Sequence, residues 1–288
     1  MDDLADYGAH AAPSELTENH EVRVTVQVDR DAPLLAPHGL NTPHAQVVGV
    51  EVLGGTVEHM AEENTGQTVL RITPTAERVE LCYRYSPTSG QYPDAMFVPH
   101  DSRYTRAAQA LMDDARDLAE GVTGVERAQA IARAVAEKFT YGHPETRYYE
   151  QHDHIPQLGC GLTEGSCVDI NTYLIASFRA AGIETGYVTG YFFPREKGNH
   201  CEDMHCWVVT RIDGETQEWD IAHFLKMGRR DVGAALNPKP GVRAAVFHSM
   251  GLSLPSLGLR DVKLFGEPIW LDGATALPVD APQIRLHT

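Results

Sequence analysis

The sequence predicts an α+β protein in which a small all-β domain precedes a core of helices packed on an antiparallel sheet. Residues 22–28 alternate strictly between apolar and polar side chains, which is the period of a half-buried strand. Beyond residue 90 the apolar residues recur at helical spacing instead. The dipeptide Asp213-Gly214 then separates two apolar segments and is a strong signal for a β-hairpin. Strands before helices, with a hairpin after them, favour segregated α and β elements.

The first domain is predicted over residues 20–88, as a β sandwich or sheet. Turn-forming groups such as Gly54-Gly55 separate short apolar segments there. The expected strands lie around residues 21–28, 46–53, 69–73 and 79–85. Residues 1–19 are polar and irregular, so we expect a disordered or extended N-terminus.

The second domain is predicted over residues 89–288. Two amphipathic helices should begin at Thr105 and Thr123, the second with a capping box, and a third should follow Ser166. Strands are then expected at residues 183–193, 204–212 and 215–224. The proline-rich remainder forms a C-terminal extension with weaker strand signals near residues 242–247 and 262–265.

Charge and composition exclude several classes of partner. The chain has 288 residues, of which 42% are hydrophobic, and a formal net charge of −16. Such an acidic surface disfavours binding to nucleic acid or to anionic lipid, and favours a cationic or neutral substrate over an anionic one. No apolar run approaches the length that a membrane span requires.

The five cysteines are scattered and odd in number, which is unlike a disulfide framework. The acidic start, Met1-Asp2-Asp3, lacks the apolar core of a signal peptide. These two features predict a reduced, cytoplasmic protein. The sequence leaves the oligomeric state open.

Cys167 is the candidate nucleophile. It follows Ser166, which with Asp169 forms a variant of the capping box, so the thiol should open a helix. A helix N-terminus carries about half a positive charge and unpaired N–H groups, which favour a thiolate. We therefore interpret Asp169 as a capping acid and Cys167 as an activated thiol.

His205 and Asp220 are the candidate partners of this thiol. If Asp213-Gly214 is a two-residue loop, Trp207 pairs with Asp220 and His205 pairs with Ala222. His205 and Asp220 then lie on one face of the hairpin as diagonal neighbours.

The chemistry of a cysteine nucleophile assigns each residue a role. Cys167 would attack a carbonyl, His205 would act as base and then as acid, and Asp220 would orient the imidazole. The backbone N–H of Cys167 would be one oxyanion donor. Gln157 or a tyrosine of residues 141–149 is a candidate for the second donor.

Residues 164–190 resemble the core of the transglutaminase-like superfamily. They contain a Gly-x-Cys-x-Asp opening, a helix, Arg179-Ala180-Ala181-Gly182-Ile183 and then Tyr187-Val188-Thr189-Gly190. The His-Ala-Trp and Asp-Pro-Thr strands of that family correspond to His205-Cys206-Trp207 and Asp220-Ile221-Ala222. The resemblance covers about residues 95–230.

This resemblance implies a papain-like α+β core with Cys167, His205 and Asp220 as its catalytic triad. It also implies a preceding β domain, as in many bacterial cysteine proteases of this type. Cys206 and Ile221 depart from the usual Ala and Pro, which puts the local strand geometry in question. The histidine-rich insert at residues 142–160 is atypical, so the substrate class is not carried over.

A zinc site is a rival interpretation, because six histidines and cysteines in and after the histidine-rich insert are residue types that zinc prefers. They are His152, His154, Cys160, His200, Cys201 and Cys206. No Cys-x-x-Cys pair occurs among them, which disfavours structural zinc. We therefore predict no metal and no cofactor.

The sequence predicts an enzyme that hydrolyses a peptide or small amide through a thioester on Cys167. Two alternatives stay open: transfer of the acyl group to an amine, as in a transglutaminase, and a non-catalytic module that binds a protein partner.

Overall fold

The computed structural model describes residues 18–87 and 90–288. Residues 1–17 of the predicted disordered N-terminus lie outside this range. So do Thr88 and Ser89, at the predicted domain boundary.

The N-terminal part forms antiparallel strands from His20 onward. They are β1 (His20–Gln27), β2 (Leu34–Pro37), β3 (Gln46–Leu53), β4 (Gly55–Ala61), β5 (Thr68–Pro74) and β6 (Arg78–Ser86). Four of them correspond to predicted strands, whereas β2 and β4 were not expected. β2 is buried on both faces, so it shows no alternation. β4 follows β3 after Gly54 alone, at a φ of 80°, and it pairs with β5 whereas β3 pairs with β6, so the chain passes from one sheet to the other at this glycine.

The central part contains the helices and the main sheet. Its elements are α1 (Gln109–Leu118), α2 (Gly124–Ala136), β7 (Phe139–Tyr141), β8 (Thr163–Gly165), α3 (Cys167–Ala180), β9 (Glu184–Pro194), β10 (His200–Cys201), β11 (Met204–Ile212), β12 (Glu215–Trp219) and α4 (Ile221–Lys226). The first helix begins four residues after the predicted cap Thr105. Thr123 is the N-cap of α2 as predicted, but its side chain makes no capping hydrogen bond.

The C-terminal part adds short strands. They are β13 (Gly241–His248), β14 (Leu252–Leu254), β15 (Leu259–Val262), β16 (Ile269–Asp272), β17 (Thr275–Pro278) and β18 (Gln283–His287). The strand expected near residues 242–247 is present as β13, whereas the one expected at 262–265 lies earlier, as β15.

The central sheet has the order β12-β11-β9-β13 and is antiparallel. Helix α3 packs against it, and the buried residues between them form the core around the candidate thiol. This arrangement of helices on an antiparallel sheet confirms the predicted α+β class.

Two further sheets combine N-terminal and C-terminal strands. Their orders are β10-β18-β1-β6-β3 and β17-β16-β2-β5-β4. β18 lies between β1 of the N-terminal part and β10 of the central part. The division into domains at residues 20–88 and 89–288 stays a prediction, but the last strands of the chain complete the sheets that the first strands begin.

None of the helices within the described residues has the length and apolarity needed to cross a membrane. All five cysteines fall in that range and are free thiols. The cytoplasmic location stays a prediction.

Candidate active site

The start of α3 is built around a glycine and a capping box. Gly165 pairs with Tyr141 in the parallel ladder of β7 and β8. A Cβ on Gly165 would lie 3.0 Å from both the Asp169 Cβ and the Phe139 ring, so only glycine fits without displacement. Asp169 Oδ2 accepts hydrogen bonds from the Ser166 backbone N–H at 2.8 Å and from the Ser166 hydroxyl at 2.6 Å. The capping box predicted from the sequence is therefore present and fixes Cys167 at the first helical position.

Asp169 also anchors the histidine-rich insert at residues 142–160. Arg147 Nη1 donates to both Asp169 carboxylate oxygens at 2.8 Å and to the Ser166 hydroxyl at 3.0 Å. Burial disfavours the charge, but the hydrogen bonds from Ser166 and Arg147 lower the pKa of Asp169 below its ordinary value. Asp169 thus holds the helix start and the 142–160 segment together, which extends the predicted capping role.

His205 and Asp220 meet as predicted, although not by the predicted strand pairing. The hairpin has the expected register, with Ile212 opposite Glu215, but its ladder ends at Val208 and Trp219. The predicted pairs of Trp207 with Asp220 and of His205 with Ala222 were therefore wrong.

Asp220 leaves the strand and caps α4. Its side chain accepts the His223 backbone N–H at 3.1 Å, as an N-cap aspartate does. The His205 Nε2 lies 2.8 Å from Asp220 Oδ2, and both side chains are buried. The helix start turns the carboxylate toward the imidazole, so the contact forms without a continued ladder.

Two further residues contact the same carboxylate oxygen, and the sequence analysis missed both. His223 Nδ1 lies 2.7 Å from Asp220 Oδ2, and the His223 ring stacks on His205 with centroids 4.1 Å apart. Arg243 donates a hydrogen bond from Nη2 to the same oxygen and a second one, from Nε, to Asn237 at 2.7 Å.

An Asp-x-x-His spacing after the hairpin could have indicated His223, because residues three apart share a helix face. No local signal indicates Arg243, since it reaches the site from β13, across the sheet.

Asp220 carries a stable negative charge. Burial opposes its ionisation, but the interactions with His223, His205 and Arg243 hold the pKa of Asp220 well below its ordinary value. Burial lowers the pKa of His223 to about 3, so this ring is neutral at neutral pH. Asp220 is therefore an anion that faces one buried guanidinium and two imidazole rings.

The thiol of Cys167 lies against two side chains, those of His205 and Cys206. The hydrogen bond that the Cys167 S–H donates to Cys206, together with burial, raises the pKa of Cys167 well above its ordinary value, and His205 acts in the opposite direction. The free site therefore favours a thiol, whereas the helix N-terminus alone had led us to expect a thiolate. Cys206 in turn accepts from Asn171 Nδ2, which donates to its sulfur at 3.4 Å and to its backbone carbonyl at 2.9 Å.

His205 holds a proton more tightly than an ordinary histidine. Burial disfavours the imidazolium, but the charge and hydrogen bond of Asp220 and the contact with Cys167 raise the pKa of His205 to about 9. Because Asp220 occupies Nε2, Nδ1 is the ring nitrogen that remains for the thiol.

A cleft of about 140 Å³ opens onto Cys167 and His205. Tyr141 lines it from the end of β7, His143 from the segment that follows, and Lys226 from the end of α4. Gln157, one of the two predicted sources of a second oxyanion donor, is bonded instead to Asp114 at 2.6 Å and does not line the cleft. The other predicted source was a tyrosine of residues 141–149, and Tyr141 does line the cleft.

The residues of the rival zinc site do not come together. Over residues 18–87 and 90–288, the group of three or more ligand-type residues whose donor atoms lie within 4.8 Å of one another is His205, Asp220 and His223. Arg243 bonds to the carboxylate of this group, so a guanidinium already supplies its positive charge. The group belongs to the site of Cys167.

The comparison with protein families matches residues 107–221 to the transglutaminase-like superfamily. This match includes Cys167, His205 and Asp220, so the segment that carries them belongs to that superfamily, and the resemblance drawn from the motifs is confirmed. A core of this superfamily with a thiol at the start of its helix indicates that the protein is a cysteine-dependent enzyme.

Among solved structures, a protein from Cytophaga hutchinsonii that is provisionally assigned as a cysteine protease is 15% identical. The match covers 94% of this chain and 98% of that one, with a TM-score of 0.51. It therefore supports the fold of nearly the whole chain. The comparison with curated proteins finds no match.

Two weaker similarities are a provisionally assigned protease from Parabacteroides distasonis and the periplasmic domain of TgpA from Pseudomonas aeruginosa. The first is 13% identical, covers 69% of this chain and 42% of that one, and has a TM-score of 0.31. The second, in a structure bound to ethylmercury, is 14% identical, and the match covers 74% of this chain and 92% of that one with a TM-score of 0.36. At these scores neither supports an inference about this chain.

Proposed function

We propose that the protein hydrolyses an amide or peptide bond through a thioester on Cys167. The observation that carries this proposal is the buried hydrogen bond between His205 and Asp220 at a cleft that Cys167 and His205 line together. A nucleophile, a base and an acid that orients the base are the groups that acyl transfer by a thiol requires.

In the first half of the reaction, the Cys167 sulfur attacks the carbonyl carbon while its proton passes to His205. The C–N bond then breaks, and His205 gives that proton to the leaving amine. In the second half, His205 takes a proton from water, the resulting hydroxide attacks the thioester, and the acid product leaves as Cys167 recovers its proton. Asp220 stabilises the imidazolium in both halves.

Two donors suit the oxyanion of the intermediate. One is the backbone N–H of Cys167 at the N-terminus of α3, and the other is the hydroxyl of Tyr141, which lines the same cleft. Burial raises the pKa of Tyr141 above its ordinary value, so the hydroxyl keeps its proton and can donate it in a hydrogen bond.

The test is intact-protein mass spectrometry after incubation with a panel of acetylated peptides and small amides. We expect an adduct on Cys167 and release of the amine, and Cys167→Ala should abolish both while the melting temperature stays unchanged. Cys201→Ala is the matched control, because Cys201 lines the same cleft and plays no part in the mechanism. Turnover in Cys167→Ala would overturn the proposal.

Adding an excess of methylamine to the same reactions separates hydrolysis from transfer. Hydrolysis gives the free acid whether or not the amine is present. A methylamide product in place of the acid would identify the enzyme as an acyltransferase.

A further inference from the structure

The lysines of this chain are concentrated around the candidate active site. The whole sequence contains only five, at positions 138, 197, 226, 239 and 263, and acidic residues outnumber basic ones by 40 to 24. Three of the five, Lys197, Lys226 and Lys239, line the cleft that holds Cys167. Most of the lysine side chains of this acidic protein therefore lie at one cleft.

Lys226 is tied to the elements that carry the reacting groups. It ends α4, the helix that Asp220 caps, and its Nζ lies 5.1 Å from the centre of the Tyr141 ring. Tyr141 in turn pairs with Gly165, two residues before Cys167. Lys226 is exposed, and across the described residues no carboxylate lies within 4 Å of its ammonium group.

The other two lysines have partners at the rim. Lys197 pairs with Glu202 at 2.8 Å and Lys239 pairs with Glu196 at 2.6 Å. Such exposed pairs contribute little to stability and exchange easily for a ligand anion. The acids that line the cleft are Glu202 and Asp203, and Glu196 adds a third carboxylate beside Lys239, so among the cleft lysines Lys226 is the one without a carboxylate partner.

On the premise that Cys167 is the nucleophile as proposed above, we propose that the substrate carries a carboxylate close to the bond that is cleaved, and that Lys226 binds it. A potential focused by the walls of a cleft acts on the substrate more strongly than the distant surface charge does. The net charge of the whole chain, which favours cationic or neutral substrates, is therefore a poor guide to this site.

A carboxylate near a scissile amide can come from an acidic side chain or from a free C-terminus. Three acetylated pentapeptide amides distinguish side-chain charge, with glutamate, glutamine or lysine at the centre of alanines. A fourth peptide, with central glutamine and a free C-terminal carboxylate, represents the second source. Each is assayed for hydrolysis and for protection of Cys167 against iodoacetamide, which needs no turnover.

We expect wild-type protein to bind and cleave at least one of the two carboxylate peptides about tenfold better than the glutamine amide. Lys226→Met should remove that preference, mainly through KM, and leave the glutamine amide within twofold. Added salt should weaken the preference in the wild type as well. Lys138→Met is the matched control, because Lys138 bonds to the Leu158 carbonyl and does not line the cleft.

Equal binding of all four peptides, or an equal effect of Lys226→Met on all of them, would overturn the carboxylate proposal while hydrolysis persists. Protection of Cys167 by carboxylate peptides without any cleavage would support the carboxylate site and overturn the hydrolase proposal instead. The two failures are therefore distinguishable.

Discussion

Cys167 and His205 together hold two protons in the free site, and one must leave before the sulfur can attack. The pKa of His205 is raised from 6.5 to about 9, and that of Cys167 is also raised, so neither group supplies a base at neutral pH. Reactivity should therefore increase as the pH rises through 9, where His205 loses its proton.

The prediction is that the rate of alkylation of Cys167 by iodoacetamide increases up to a midpoint near pH 9, measured by peptide mass spectrometry. Asp220→Asn removes the carboxylate that raises the pKa of His205, so its midpoint should move down toward the ordinary histidine value of 6.5. A melting curve controls for folding, since Arg243 loses its partner in this variant. A midpoint that stays in place would contradict the assigned role of Asp220.

This site has Cys206 at the position where the family resemblance predicts an alanine. Its hydrogen bond is the largest of the influences that raise the pKa of Cys167. Cys206→Ala should therefore speed alkylation of Cys167 at pH 7 severalfold, because the thiolate form becomes more populated. Cys201→Ala, with a thiol removed elsewhere in the cleft, should leave the rate unchanged, and equal rates in all three proteins would exclude this role of Cys206.

At the scale of elements, the segment between β7 and β8 is fixed to the start of α3 by one ion pair. Arg147 is partly exposed, whereas Asp169 is fully buried, so loss of the arginine leaves a buried carboxylate with only its capping hydrogen bonds. This contact explains how a long segment without secondary-structure periodicity adopts a defined course over the site.

We expect Arg147→Met to lower the free energy of unfolding by about 2 kcal/mol, below the usual cost of breaking a fully buried pair because Arg147 is partly exposed. Urea denaturation measures the change, and limited proteolysis should show faster cleavage within residues 142–160. Arg116→Met removes a surface pair with Asp113 and should cost well under 1 kcal/mol. Equal costs in both variants would show that the pair with Asp169 does not hold the segment.

At the scale of the whole molecule, the last strand joins the first strand to the segment that lines the cleft. Ile284 of β18 lies opposite Val24 of β1 on one side and Cys201 of β10 on the other. Its side chain is completely buried in the core shared by these strands. The C-terminal extension is thus a structural part of both halves of the chain.

Ile284→Ala should therefore lower the free energy of unfolding by about 3 kcal/mol, the middle of the range for such a truncation in a core. The neighbouring Arg285→Ala, on the exposed side of the same strand, should change it by less than about 0.5 kcal/mol. Thermal and urea denaturation of the two variants give the comparison. A similar small effect in both would mean that β18 contributes little to the shared core.

Local pattern was sufficient for the parts of this protein that depend on neighbours in sequence. The capping box at Ser166 and Asp169, the helix that follows Cys167 and the hairpin at Asp213-Gly214 were all predicted, because turn and cap chemistry act over a few residues. The order of thiol, imidazole and carboxylate also indicated the correct superfamily.

Tertiary structure decided what depends on residues far apart in sequence. Arg243 reaches Asp220 across the sheet, Cys206 raises the pKa of the thiol beside it, and β18 returns to pair with β1. The gathering of three lysines at one cleft in an acidic chain is also visible only after folding. Burial and long-range pairing set these features, and neither leaves a periodic signal in the sequence.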